Sequence, residues 1–292
     1  MIRRHTRAAI FVACFGLAAL VAPILILTGG CGTPTPVAKR IDHVVISTQN
    51  PQELFNFFTG TLGLPVAWPM AVYPGFATGG IHLGNLNLEA VNLGKPISTG
   101  PTNVYGIVIE PYPLVQSVPE LRTRGAQPGK LEVQTREFNG QQVTMWTNVT
   151  LGALSTRNYI TYLCQYSPEA KQAIDSANQT PGPYGKLGVT SMSEVTVTSK
   201  DASKLAGQWT STLAPTTTSK DGGIVIGGSS PGIKIVKGTA DRIESIILGV
   251  ASLSQARSYL EANGLLGQSS STEVSIKPAK VQGINIRLVQ KP

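Results

Sequence analysis

The chain has 292 residues, more than one ordinary domain needs, and its 41% hydrophobic and 14% charged content excludes a disordered protein. With 31 glycines and 20 prolines it suits many short strands joined by turns. The net charge of +8 does not mark a nucleic-acid binder: Arg3, Arg4 and Arg7 crowd the extreme N-terminus, and the other basic residues are scattered without interleaved stacking aromatics.

Met1 to Arg7 form a positive start, and Ala8 to Leu27 are uncharged and mostly apolar. The following Leu27-Thr-Gly-Gly-Cys31 resembles the lipobox of bacterial lipoproteins, with small residues just before a cysteine. Residues 1–30 therefore read as a signal peptide and residues 31–40 as a tether lipidated at Cys31, which would anchor an extracytoplasmic protein to the bacterial cell envelope. An uncleaved anchor is the competing reading, since about twenty apolar residues just span a bilayer. With Cys14 lost and Cys31 acylated, Cys164 stands alone and no internal disulfide is available. In the apolar run Tyr159-Ile-Thr-Tyr-Leu-Cys164 it reads as a buried structural thiol, not a nucleophile.

Four similar stretches follow. The first opens with an alternating strand, Ile41 to Thr48; Asn50-Pro51 should cap and open a helix to Thr59, which places Leu54, Phe57 and Phe58 on one face. Strands are expected near Pro65 to Trp68, Gly75 to Leu83 and Leu86 to Asn92, with Pro69 to Thr78 as a candidate lid loop. The second has a strand at Val104 to Ile109, a helix at about Pro113 to Arg124, and strands at Gln142 to Asn148 and Tyr159 to Tyr166. Ser167-Pro-Glu then starts a short polar helix, and Thr180 to Gly185 reads as a linker, so 167–184 separates two halves.

The third stretch has strands at Glu194 to Thr198, Gly223 to Ile226 and Ile233 to Lys237, with a helix from Asp201 to Leu213. The fourth has strands at Ser245 to Leu248, Thr272 to Ile276 and Gly283 to Val289, with a helix from Ser252 to Asn263. The pattern is an α+β protein of four βαβββ modules, paired as 41–166 and 185–292 into two cup-shaped mixed-sheet domains. Each sheet curls so that alternate residues of every strand line its cup.

Asp42-His-Val-Val, Gly84-Asn-Leu-Asn-Leu-Glu89, Met145-Trp-Thr-Asn-Val149 and Tyr162-Leu-Cys-Gln-Tyr166 resemble the vicinal-oxygen-chelate superfamily of glyoxalases, extradiol dioxygenases and bleomycin-resistance proteins. The resemblance implies a small molecule in the first cup and a divalent metal (Zn, Fe, Mn or Ni) held by strand residues, with His43, Glu89 and Gln165 at the ligand positions. Glu89 would also be the candidate base. Gly106, at the remaining ligand position, has no side chain, and Gln165 offers only a neutral amide; His82 on the neighbouring strand is a possible substitute. Alternation puts Asn87 on the face of Glu89, and Asn87, Trp146 and Tyr166, with Trp68, are expected around the pocket.

Modules three and four hold Glu194, Val236, Ser245 and Arg287 to Val289 near the equivalent positions, and no metal set can be built from them. Two functions follow: a metal-dependent lyase, isomerase or dioxygenase, or a metal-free binding lipoprotein of the same fold. Because four modules in one chain can pair internally, a monomer suffices.

Overall fold

The computed structural model describes residues 34–291, apart from 180, 221–222 and 229–230. The expected signal peptide and Cys31 lie outside the described residues. Among the described residues, no helix is long and apolar enough to cross a membrane.

The first half runs β1 (Ala38–Ser47), α1 (Pro51–Asn56), β2 (Val66–Tyr73), β3 (Phe76–His82), β4 (Asn87–Asn92), β5 (Asn103–Pro111), α2 (Leu114–Thr123), β6 (Pro128–Phe138), β7 (Gln141–Leu151) and β8 (Ile160–Tyr166). These eight strands form one sheet in the order β2-β3-β4-β1-β5-β8-β7-β6. After α3 (Pro168–Ala177) come β9 (Val189–Ser199), α4 (Ala202–Leu213), β10 (Thr217–Lys220), β11 (Gly223–Ile226), β12 (Gly232–Lys237), β13 (Arg242–Val250), α5 (Leu253–Ala262), β14 (Leu266–Ser269), β15 (Glu273–Ile276) and β16 (Ile286–Gln290). The second sheet repeats the order of the first, β10-β11-β12-β9-β13-β16-β15-β14. Four βαβββ modules thus pair two and two into cup-like α+β domains. In each pair the first and last strands of a module run parallel, and the two first strands meet antiparallel at the centre.

Helices cover one face of each sheet because their apolar residues recur at helical spacing. Leu114, Val118 and Leu121 do so in α2, Leu205, Trp209 and Leu213 in α4, and Leu253, Ala256 and Leu260 in α5. They join Val44, Ile46, Leu88, Ile107 and Ile109 of the first sheet and Val195, Val197, Ile246 and Leu288 of the second in one continuous buried core. Burying such a side chain contributes about 1.5–3 kcal/mol, which makes this face the main source of stability. The opposite face of the first sheet is left for the cup.

Several local expectations need correction. Pro51 opens α1, but Asn50 makes no side-chain cap, and the helix continues beyond Asn56 as a wider turn over Phe57–Thr61. The expected lid loop at 69–78 is the paired hairpin of β2 and β3, whose backbone groups are spent on each other. Strands β6, β10 and β14, each directly after a helix, complete modules that the sequence pattern left one strand short.

Candidate functional site

A β-bulge creates the chemistry of the first cup. In the pairing of β1 with β5 the register moves from Ile41–Ile109 to His43–Val108, leaving Asp42 as an extra residue. A bulge re-aims side chains that alternation would send to opposite faces, and here it lets Asp42 and His43 meet. His43 Nδ1 lies 2.7 Å from Asp42 Oδ2, and its Nε2 lies 3.3 Å from Glu89 Oε2, with both His43 and Asp42 buried. Tyr166 donates to Asp42 Oδ2 at 2.9 Å, and Thr78 donates to Glu89 Oε1 at 2.5 Å. Trp68 Nε1 in turn reaches Thr78 at 3.3 Å, so one hydrogen-bonded chain crosses the cup from Tyr166 to Trp68.

Burial works against charge on His43, yet the hydrogen bonds and charges of Asp42 and Glu89 overcome it and lift the imidazole to about 9. Burial likewise works against the charge of Asp42, but the contact with His43 keeps it below the ordinary carboxylate range. At neutral pH His43 is therefore an imidazolium that spends both N–H groups on its own neighbours. Burial, reinforced by the nearby carboxylates, raises Tyr162 and Tyr166 well above the usual phenol range. Cys164 is also raised well above its usual value by burial, as befits an unreactive structural thiol.

Above this chain the cup opens into two lobes. One, of about 230 Å³, has walls from Trp68, Tyr73, Trp146 and Tyr166 over His43, with Ala170, Ala173 and Ile174 of α3 along one side. The other, of about 280 Å³, lies among Val45, Phe76, Tyr105, Glu132 and Gln134. Glu89, Trp146, Asn148 and Tyr162 line both lobes and mark where the two meet. Register explains the grouping: Gln134, Trp146 and Tyr166 form one cross-strand row of β6, β7 and β8, and Glu132, Asn148 and Cys164 form the next. Trp68 lies flat against β3 because Gly80 has no side chain; a Cβ there would come within 2.3 Å of the indole ring.

The structure brings together His43, Glu89, Trp68, Trp146 and Tyr166, and separates the other expected residues from them. Gln165 is exposed on the opposite face of β8, where its Oε1 accepts the Leu114 N–H at 2.7 Å and caps α2. It is no ligand, because neighbouring strand residues point to opposite faces and Tyr166 takes the cup side. Asn87 shares the face of Glu89 as expected, but it is bonded to His82 at 3.1 Å and lines neither lobe. His82 packs edge-on against Tyr184 and supplies no substitute ligand. Gly106 faces Val45, where even a Cβ would be tight at 3.2 Å.

Nothing in the sequence pattern marks a role for Asp42, Thr78, Tyr73 or Tyr162. The segment 167–184, expected only to separate the halves, carries α3, which walls the first lobe. The signal was present: Ala170, Ala173 and Ile174 stand at i, i+3 and i+4 in an otherwise polar helix.

The donor set does not fit a resident divalent metal. Catalytic sites of this kind hold the ion with three protein ligands, whereas only His43 and Glu89 converge here. Among the described residues, no group of three His, Cys, Asp or Glu could hold a metal ion.

Solved structures share this architecture and bear out the fold. The chain is similar to a hypothetical protein from Staphylococcus aureus, with a TM-score of 0.59 at 12% identity over 86% of this chain and 99% of that one. It is also similar to homoprotocatechuate 2,3-dioxygenase from Arthrobacter globiformis, with a TM-score of 0.55 at 10% identity over 89% of this chain and 82% of the other. The enzyme from Brevibacterium fuscum, in complex with 3,4-dihydroxyphenylacetate, gives 0.55 at 9% identity over the same shares. No family model and no curated protein matches the sequence. At such identities the likeness is one of fold, and function rests on the site.

Proposed function

We propose that the protein is a metal-free binding protein of the vicinal-oxygen-chelate fold, which holds a small, flat, oxygen-bearing molecule in its first cup. The observation that carries this reading is the aromatic-walled cavity above an imidazole whose two nitrogens are both engaged by Asp42 and Glu89. A flat ligand stacks between the rings, and its hydroxyl finds an acceptor in Glu89, whose oxygens carry more lone pairs than Thr78 and His43 use.

The second reading, a metal-dependent enzyme, draws support from one feature. Asp42 on Nδ1 with Glu89 facing Nε2 is the outer-sphere pattern that orients metal-binding histidines. A metal would have to displace the Nε2 proton, which Glu89 holds in place.

Two measurements on the purified chain separate these readings. Titration with flat phenols, followed by fluorescence of Trp68 and Trp146, should quench saturably and should lose that response in Trp146→Leu. Metal analysis after loading with Zn, Fe, Mn or Ni should give far less than one equivalent. A full equivalent that disappears in His43→Ala would sink the binding reading in favour of the enzyme.

In the same proposal, Cys31 is lipidated and tethers the cups to the outer face of the bacterial membrane. In cells, Cys31→Ala should move the protein from the membrane fraction to the soluble envelope fraction and abolish fatty-acid labelling. Unchanged labelling would refute the anchor.

A further inference from the structure

The proposal of a ligand in the first cup can be taken one step further, to the charge of that ligand. The second lobe is lined by two carboxylates, Glu89 and Glu132, and by no lysine, arginine or histidine. The trio beside it is also rich in carboxylates, since Asp42 and Glu89 both face His43, with Arg40 near Asp42 alone. Arg136, the other cation of the cup, lines only the first lobe. Glu89 is only partly exposed, Glu132 is open to solvent, and the lining of this lobe supplies neither with a cation, so the lobe is a negative surface.

The walls also suit a cation. Phe76, Tyr105, Trp146 and Tyr162 surround the second lobe, and aromatic faces attract an ammonium within about 6 Å of the ring centre. The hydrogen-bonding groups are also complementary. An ammonium has three donors and no acceptor, and the lobe offers the carboxylates of Glu89 and Glu132 and the amide of Gln134. Asn148 stands where the lobes meet, with its Oδ1 buried and without a hydrogen-bond partner. An unsatisfied buried acceptor is unfavourable, and an N–H group arriving where the lobes meet offers it a donor.

We infer that the ligand is a primary arylalkylamine in its protonated form, with its ring in the first lobe beside Trp68 and Tyr73 and its ammonium in the second, beside Glu89 and Glu132. The inference rests on the binding reading but can fail without it.

The test compares tyramine with its uncharged analogue tyrosol and its acidic analogue para-hydroxyphenylacetate, by calorimetry and tryptophan quenching on the full chain. Tyramine should bind roughly tenfold more tightly than tyrosol, the worth of one charge-assisted hydrogen bond, and the acid should bind most weakly. In Glu132→Gln the ratio of tyramine to tyrosol affinity should fall several-fold, whereas Glu137→Gln, on the same strand but outside both lobes, should leave it as it is. Tyrosol or the acid binding as well as tyramine would overturn the ammonium assignment and leave the cup a binding site. Saturable binding by none of the three would overturn both.

Discussion

The two cups have the same strand order and differ in what fills them. In the first, Asp42, His43 and Glu89 form a buried charged chain beneath an aromatic cavity. In the second, the corresponding face is tied up by its own side chains: Arg287 pairs with Glu273 at 3.0 Å and reaches Ser245 at 3.4 Å, while Glu194 accepts from Thr196 at 2.8 Å. The first face thus leaves carboxylates around a hollow, while the second holds these charges in contacts among its own side chains. Fold and site are thus separable: strand topology is preserved by the apolar face, and the cup face is free to vary.

The largest expected effect comes from breaking the buried trio. His43→Leu leaves Asp42 and Glu89 without their cation, and removing one partner of a buried pair costs about 3–5 kcal/mol. Glu194→Gln in the second cup, where the carboxylate meets only a hydroxyl, should cost under about 1 kcal/mol. Urea unfolding of the two variants measures the contrast, and equal losses would end it.

The pH profile of the native chain sharpens the same comparison. His43 moves from 6.5 to about 9 on folding, so it adds stability that is fully present below about 6.5 and is lost as pH rises through about 9. The size is on the order of 3 kcal/mol. Asp42 has the opposite sign: its lowered value adds stability above its ordinary range, and that is lost on acidification. His43→Leu should flatten the alkaline limb of the profile. A limb that survives in the variant would mean that another group, outside the trio, controls it.

What the sequence could and could not reveal follows the same division between faces. The core strands β1, β5, β9 and β13 were legible because alternating or continuous apolar runs with short helices and glycine stops leave few other folds open. Strands β6, β10 and β14 were not, because each is a sheet edge: β6 is exposed on both faces and has no alternation to detect, while β10 and β14 are four residues each. His43 and Glu89 were legible from their place in the resembling motif. Gln165 was misplaced because a shift of one residue along a strand exchanges its faces, and the inward position belongs to Tyr166. The role of Asp42 was hidden because a bulge breaks the period-two rule that would have turned it away.

The smallest expected effect lies in the second cup and tests whether its closure hides a second site. Arg287 and Glu273 are each about a third exposed, at 30% and 33%, so solvent screens much of their attraction. Such pairs contribute about 0–1 kcal/mol. Arg287→Met also removes a buried Nε that has no hydrogen-bond partner, which offsets part of that loss. The unfolding free energy should therefore change by less than about 1 kcal/mol. Binding stoichiometry carries more information than stability here. If only the first cup holds a ligand, calorimetric titration should give one site per chain in both the native protein and Arg287→Met. A second site that vanishes in Arg287→Met would make the second cup a binding cup too. Its ion pair would then belong to a recognition surface, and the difference between the two halves would be one of ligand rather than of filling.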